Sequence, residues 1–293
     1  MTTRRVWATL SLLALTSCST PESNTATLNG WAVGTTLTAD GVSIYYESTG
    51  AGPLALVFVH GWSCDQTYWR EQMESFASTH RVVAVDLAGH GKSGWNRKAW
   101  SIRAFGDDVA AVVDELALER VVLVGHSMGG PVVVEAALSL EERVHGVVVV
   151  DALRNITKAT TLEDWENLAA PLRANFQEKT ASWVRDVMFV PTSDPKLVDS
   201  IASDMAAAPP EQALAALKAL KFWHGEKALE ALQVPILAIN AQARFTDAKA
   251  LQERGVGVVR MRDAGHFLML EAPKTFDKLL QTALKAFGLR PHS

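Results

Sequence analysis

Short, uninterrupted apolar runs separated by helix-length segments are the feature of this sequence that most constrains its fold. Three of these runs are Leu54–Val59, Val121–Val124 and Val147–Val150. A strand with one face in water alternates apolar and polar residues, whereas a run that is apolar throughout indicates a strand covered on both faces. Connections of helix length between such strands favour parallel pairing with helices on both sides of the sheet. We therefore predict an α/β domain on a mostly parallel, doubly wound sheet.

The remaining predicted elements follow the same alternation, after an opening hairpin at Asp40-Gly41, a dipeptide typical of such turns. The pattern predicts strands over 36–38, 42–47, 81–85, 235–239 and 256–261, and helices over 65–78, 101–116, 127–140 and 273–287.

Residues 152–233 break this alternation. They contain no convincing buried strand and carry aromatic and aliphatic residues, among them Trp165, Phe176 and Trp183, at mixed helical spacing between prolines. This pattern predicts a helical cap inserted after the sixth strand, with a core formed by residues 30–151 and 234–293. Most of the cap aromatics are expected to pack within it, and a minority to line a pocket.

The N-terminus reads as an export signal. Two arginines precede an apolar stretch of about ten residues, which is too short to span a bilayer as a helix. Leu15-Thr16-Ser17-Cys18 resembles the lipobox of bacterial lipoproteins, which implies a signal peptide over 1–17, lipid on Cys18 and a polar tether over 18–29. The expected protein is exported and held on a membrane by that lipid. An ordinary signal peptide whose cleavage site lies near a cysteine by chance is the alternative.

Charge and cysteine content exclude several classes of protein. There are 32 acidic against 28 basic residues, with a net charge of −4, so there is no basic surface of the kind that a nucleic-acid partner requires. If Cys18 is lipidated, Cys64 has no partner for a disulfide and is expected to be a small buried residue. No His, Cys, Asp or Glu cluster has metal-ligand spacing, and no cofactor is expected.

The segment Gly125-His126-Ser127-Met128-Gly129 directly follows a predicted strand and opens a predicted helix. In this Gly-x-Ser-x-Gly pattern the small flanking residues allow a turn so tight that the serine hydroxyl projects from the sheet edge. Ser127 is therefore the candidate nucleophile.

With these residues the chain resembles the α/β-hydrolase superfamily, from about residue 42 to 287. Besides the serine turn, three other segments match in order: His60-Gly61-Trp62, the run Asp86-Leu87-Ala88-Gly89-His90-Gly91-Lys92-Ser93, and Gly265-His266-Phe267. The resemblance implies the α/β-hydrolase fold, with His266 as general base.

A serine hydroxyl attacks poorly until an imidazole within hydrogen-bond reach removes its proton, so Ser127 requires His266. The resemblance also implies an oxyanion hole formed by the backbone N–H groups of Trp62 and Met128. His60, His90 and His126 are expected to be structural.

The third member of the triad departs from the family pattern. The usual acid follows the strand beginning at Pro235, and counting along that strand places Arg244 there, which cannot accept the imidazole N–H. Asp151 ends the strand 147–150, the place of the acid in some relatives, and Asp247 lies three residues past the usual position. We favour Asp151, because Thr246-Asp247 reads as the start of a helix that either residue would cap.

The expected function is hydrolysis of a carboxylic ester or similar acyl compound through an acyl-enzyme on Ser127, in a pocket between the sheet edge and the cap. A cofactor-free perhydrolase or a carbon–carbon bond hydrolase would use the same triad. A binding lipoprotein that kept the fold without activity belongs to another class, and fold alone does not separate these. The oligomeric state stays open.

Overall fold

The computed structural model describes residues 26–28, 30–157 and 159–289. The predicted signal peptide, Cys18 and most of the predicted tether lie outside these residues. Within the described part of the chain, no helix has the length and apolarity needed to cross a membrane.

The described residues form nine strands and eleven α-helices. The strands are β1 (Ala26–Leu28), β2 (Trp31–Leu37), β3 (Ser43–Thr49), β4 (Ala55–Val59), β5 (Arg81–Val85), β6 (Val121–His126), β7 (Val144–Val150), β8 (Ile236–Ala241) and β9 (Val256–Met261). The α-helices are α1 (Arg70–Phe76), α2 (Ile102–Glu115), α3 (Gly129–Leu140), α4 (Leu162–Ala174), α5 (Phe176–Val187), α6 (Pro195–Ala206), α7 (Pro210–Lys221), α8 (Gly225–Ala231), α9 (Ala248–Gln252), α10 (Leu268–Glu271) and α11 (Pro273–Ala286).

All nine described strands form one sheet, in the order β1-β2-β3-β5-β4-β6-β7-β8-β9. The pairs from β5 through β4 to β9 are parallel, and β1, β2 and β3 add an antiparallel edge. Val57, Leu123 and Val148, on three neighbouring central strands, are fully buried. Helices therefore cover both faces of the sheet centre, as the continuous apolar runs predicted, and the mostly parallel α/β fold is confirmed.

The structure corrects the prediction at the antiparallel edge. Residues 26–28 were predicted to belong to a tether, but they form β1, which pairs with β2. All three side chains of β1 are exposed, so only backbone hydrogen bonds mark it as a strand, and the hydrophobic pattern carries no trace of it. Because of this added strand, the cap follows the seventh strand of the structure and not the sixth.

The cap consists of helices α4 to α8, between β7 and β8. It is attached to the core through Trp62, whose indole N–H donates to the carbonyl of Ala213 on α7, with 2.6 Å between the heavy atoms. The same ring lies edge-on to Phe176 and Trp183 of α5, with centroids 6.0 and 5.8 Å away. Edge-to-face pairs of this kind are favourable beyond the area that they bury. The cap therefore packs directly on the loop after β4.

Candidate active site

Ser127 occupies a sharp turn between β6 and α3 and has a φ of +53°, a conformation that a serine rarely adopts. Two glycines beside it make room, Gly125 for closure of the turn and Gly129 for its packing against the end of β4. A Cβ on Gly125 would lie 2.1 Å from the carbonyl oxygen of Gly129, and one on Gly129 would lie 2.5 Å from that of Val59. The two glycines of the sequence motif thus place Ser127 at the carboxyl end of the sheet, where ligands of α/β folds bind.

The loop after β4 packs against this turn. A Cβ on Gly61 would lie 3.1 Å from the Cβ of Ser127, so the backbones of the two loops approach closely. Among the described residues, the backbone N–H groups of Trp62 and Met128 have no hydrogen-bond acceptor. Both donors therefore remain available for the predicted oxyanion hole.

His266 and Asp151, which are 115 positions apart in the chain, are hydrogen-bonded. The Nδ1 atom of His266 lies 2.5 Å from Oδ2 of Asp151, and both residues are buried. The other carboxylate oxygen accepts the backbone N–H of Ala241 at 3.1 Å. Asp151 follows β7 directly with a φ of +42°. The carboxylate is therefore fixed from two sides, at the end of β7 and at the end of β8.

A buried amide stabilises the turn after Asp151. The side chain of Asn240, at the end of β8, accepts the backbone N–H of Ala152 and donates to its carbonyl, each at 3.2 Å. Because a buried polar backbone must be satisfied, this reciprocal pair holds the strained exit from β7 in place.

The loop that carries His266 is held by groups from the core and the cap. The carboxylate of Glu271 accepts the N–H groups of Gly265 and Phe267, at 3.0 and 3.2 Å. The N–H of His266 donates to the carbonyl of Met188, just after α5, at 2.6 Å. The imidazole is therefore oriented by its backbone as well as by Asp151.

The electrostatics of the pair favour an ionised carboxylate and a neutral imidazole. Desolvation acts to raise the pKa of Asp151, but the hydrogen bond to His266 and the charges of Arg244 and Arg154 outweigh it, and this pKa lies below its usual value. Desolvation, together with the charges of Arg244 and Arg154, lowers the pKa of His266 more than the hydrogen bond and charge of Asp151 raise it. An imidazole that donates from Nδ1 keeps Nε2 free to accept a proton. His266 is thus suited to act as a general base at neutral pH.

Asp247 is used differently from Asp151. Its carboxylate accepts the N–H of Ala250 at 3.0 Å and so caps helix α9, as expected for a residue at the start of a helix. Its own N–H donates to the carbonyl of Arg154 at 2.8 Å. Of the two candidate acids, Asp151 is the one whose carboxylate contacts His266.

Arg244, which occupies the family's usual acid position, contacts Asp151. Its Nε lies 3.0 Å from the same Oδ2 atom that meets His266, and a terminal nitrogen of its guanidinium donates to the carbonyl of Val187 at 2.6 Å. The Nε of Arg154 is 3.9 Å from this oxygen. The sequence showed only that Arg244 could not be the acid, and its contact with Asp151 was not predicted. A cation at the position where relatives carry the acid was the one sign that it could pair with a carboxylate nearby.

The other histidines near the site make structural contacts. His60 lies 2.7 Å from the carbonyl of Gly61 through Nδ1 and accepts the N–H of Leu87 at Nε2, 3.0 Å away. Burial lowers its pKa to about 4, so the ring is neutral and links two loops. The Nε2 of His126 lies 3.0 Å from the carbonyl of His266. In the described ranges, no group of three or more His, Cys, Asp or Glu side chains could hold a metal ion.

Two cavities meet at Ser127 and His266, both of which line each of them. The larger has a volume of about 540 Å³ and the smaller about 140 Å³. Core and cap contribute to both: Asp151, Leu153, Leu168, Leu220 and Trp223 are among the residues lining the larger, and Gly61, Trp62, Trp183 and Met188 among those lining the smaller. The site is therefore a cleft between the carboxyl edge of the sheet and the cap, large enough for a small organic molecule.

A family model described as the alpha/beta hydrolase family matches residues 56–279, and the chain belongs to this family. The matched range contains the serine turn, both strand ends that carry Asp151 and Arg244, and the His266 loop.

Individual relatives are hydrolases and a peroxidase. The chain is 27% identical over 262 residues to 3-oxoadipate enol-lactonase 2 of Acinetobacter baylyi, and the alignment covers 86% of this chain and 97% of the relative. It is 35% identical over 153 residues to a non-heme chloroperoxidase of Streptomyces lividans, covering 49% of this chain and 55% of that protein. Among solved structures, a thermophilic esterase from Thermogutta terrifontis superposes with a TM-score of 0.76 at 25% identity, over 87% of this chain and 98% of the esterase. The chain is thus a hydrolase of this family.

Proposed function

We propose that this hydrolase cleaves a carboxylic ester or similar acyl compound through an acyl-enzyme on Ser127. The observation that carries the proposal is the buried pairing of His266 with Asp151 at 2.5 Å, in a cleft that His266 shares with a serine held in a strained turn. A strained backbone at a cleft is characteristic of catalytic positions.

The chemistry follows from these positions. The Nε2 atom of His266 removes the hydroxyl proton of Ser127 as the oxygen attacks the carbonyl carbon, and the carbonyl π-electrons move onto its oxygen. The N–H groups of Trp62 and Met128 stabilise that oxyanion, and one such donor contributes about 3 to 4 kcal/mol. The imidazolium then protonates the leaving group as the bond to it breaks. A water molecule loses a proton to His266 as it attacks the acyl carbon. The imidazolium then returns that proton to the oxygen of Ser127 as the bond between this oxygen and the acyl group breaks and the carboxylic acid leaves.

Asp151 has the role of the triad acid in this mechanism. Its carboxylate fixes the tautomer in which Nδ1 carries the proton and stabilises the imidazolium that forms during attack. Because the hydrogen bond to His266 and the charges of Arg244 and Arg154 hold its pKa below the usual value, the carboxylate remains an ionised acceptor throughout the cycle.

The substrate is proposed to be a small ester, linear or cyclic. The similarity to an enol-lactonase and to an esterase supports this choice, since a lactone is an internal ester and reacts by the same addition and elimination. The main cavity of about 540 Å³ suits a small acyl compound.

A perhydrolase is the second candidate, and the similarity to a non-heme chloroperoxidase favours it. In that reaction hydrogen peroxide replaces water as the group that attacks the acyl-enzyme, so that a peracid leaves in place of the acid. The residues and their roles are otherwise the same, and a comparison of acid and peracid formation in the presence of peroxide separates the two.

A fluorophosphonate is the most direct test of the acyl-enzyme. The probe is expected to add to the intact protein once, with the mass increase on the peptide that contains Ser127, and to compete with a series of p-nitrophenyl esters of rising chain length. Prior mixing with the best ester of that series should slow labelling. A protein that hydrolyses none of these esters and takes no label at Ser127 would contradict the proposal and favour a binding protein of the same fold.

We also propose that the protein is exported and anchored to a membrane by lipid on Cys18, which the order Leu15-Thr16-Ser17-Cys18 supports. When the full chain is made in a bacterium, radiolabelled palmitate is expected to enter it, and the protein to sediment with membranes. Cys18→Ser should abolish both, whereas Cys64→Ser should change neither. Equal labelling of the Cys18→Ser variant would exclude this anchor.

A further inference from the structure

We propose that Arg244 is a positioning residue that links the C-terminal end of cap helix α5 to Asp151 and thereby holds the Asp151–His266 pair in its working geometry. This inference rests on the proposed function, because it assigns a role within the same triad.

The contacts of Arg244 connect three parts of the molecule. The residue lies in the loop after β8; its Nε is 3.0 Å from Oδ2 of Asp151, and a terminal nitrogen donates to the carbonyl of Val187 at 2.6 Å. Its side chain is 15% exposed and the carboxylate is fully buried, so the ion pair is largely shielded from water. The Nε–H of Arg244 makes no hydrogen bond, so its link to Asp151 is one of charge, and a partly buried ion pair is screened far less than a surface pair.

The cap contact is favourable for a reason of its own. Val187 is the last residue of α5, and the last four carbonyls of a helix have no partner within the helix. A guanidinium there satisfies one of them and also lies at the negative end of the helix dipole. The next residue, Met188, accepts the N–H of His266. The end of α5 therefore holds Asp151 through Arg244 and His266 through its own backbone.

The ion pair also offsets a cost of burying the acid. An isolated buried carboxylate is penalised by desolvation, and in this site Oδ1 has one backbone donor while Oδ2 is shared between His266 and Arg244. Arg154 approaches Oδ2 only to 3.9 Å. Arg244 is thus the closer of the two cations and the one that also contacts the cap.

The same charge affects the base. The charged and titratable groups that face His266 are Asp151 from the end of β7, Arg154 just beyond it, Arg244 after β8 and His126 from β6. The negative charge of Glu271, on α10, in turn favours the charged form of Arg244 and so acts to raise the pKa of Arg244. A positive charge disfavours the imidazolium, so Arg244 and Arg154 both lower the pKa of His266. Removing Arg244 is therefore expected to raise this pKa and to move the acid limb of kcat/KM to higher pH.

Kinetics with an ester substrate, measured across pH, test the role. Arg244→Met is expected to lower kcat about 10-fold or more. This is the scale of loss seen in metalloenzymes when a residue that orients a metal-binding side chain is removed. It should also shift the acid limb upward. Arg244→Lys, which keeps the charge, should keep the acid limb close to that of the wild type. Arg103→Met, at an arginine whose side chain is 58% exposed, is the control. It should leave kcat and the pH of the acid limb unchanged.

A double-mutant cycle separates positioning from general structural damage. If Arg244 acts through Asp151, then Arg244→Met should cost little further activity in an Asp151→Asn background. Losses that multiply, or an Arg244→Met profile that coincides with the wild type, would overturn the proposal. If Arg244→Met does not fold, as circular dichroism would show, the Arg244→Lys profile decides: an acid limb far from that of the wild type counts against the role.

One readout does not depend on activity. The pKa of His266 can be followed by NMR titration of its imidazole signals, assigned by comparison with His266→Gln. An upward shift in Arg244→Met is expected even if no ester is turned over, in which case the proposed function fails while the electrostatic link stands. If the wild type hydrolyses esters but Arg244→Met shows no such pKa shift, the proposed function stands and the electrostatic link between Arg244 and His266 fails.

Discussion

Ser127→Ala is expected to lower kcat for ester hydrolysis by about 10⁶-fold, the scale seen when the nucleophile of a serine triad is removed. The methyl group cannot form the acyl-enzyme, so only the binding site and the oxyanion donors remain to favour the reaction. Progress curves with the best p-nitrophenyl ester, at enzyme concentrations high enough to detect the residual rate, give the ratio. Alanine carries a Cβ as serine does, so the backbone strain at a φ of +53° is similar in both residues and the variant should fold.

Ser139→Ala is a suitable control, because the Ser139 hydroxyl reaches the carboxylate of Asp107 in an exposed contact at 3.3 Å, away from the residues that line either cavity. Its rate should match that of the wild type. If Ser127→Ala kept more than about one hundredth of the activity, a different nucleophile or a direct attack by water would have to be considered, and the acyl-enzyme would be excluded as the main route.

Asp151→Asn is expected to lower kcat by about 10⁴-fold, as in other triads that lose the acid while keeping its shape. The amide can donate to Nδ1, which favours the imidazole tautomer protonated on Nε2, and that tautomer cannot take the proton of Ser127. The amide also removes the negative charge that stabilises the imidazolium. It leaves Arg244, whose Nε lies 3.0 Å from Oδ2, without its counter-charge.

Asp247→Asn is the matched comparison. Asparagine caps a helix about as well as aspartate, so neither the rate nor the midpoint of thermal unfolding should change much. The two variants carry the same chemical change at the two candidate acids, and their ratio measures which carboxylate serves His266. A larger loss of kcat in Asp247→Asn than in Asp151→Asn would overturn the assignment of Asp151.

Much of the core could be predicted because local patterns determine it. The central strands are apolar on both faces, and a strand with this pattern has to be covered by helices wherever it lies in the chain. The turn at Ser127 is also local, since a Cβ on Gly125 would collide with the carbonyl oxygen of Gly129 within the same turn. The β1 strand was missed for the opposite reason: its side chains are all exposed, and pairing of backbone groups leaves no hydrophobic pattern in the sequence.

The class of fold and the candidate serine and histidine could be read from short segments alone, because strand burial and a tight glycine turn are local properties. Which of the two candidate acids, Asp151 or Asp247, contacts His266 becomes visible only in three dimensions, since residues 115 positions apart meet through the order of the strands and not through their spacing. The same packing places Arg244, at the expected acid position, against the carboxylate of Asp151. An ion pair depends on where two side chains end in space, and that is fixed when β7, β8 and the cap pack together.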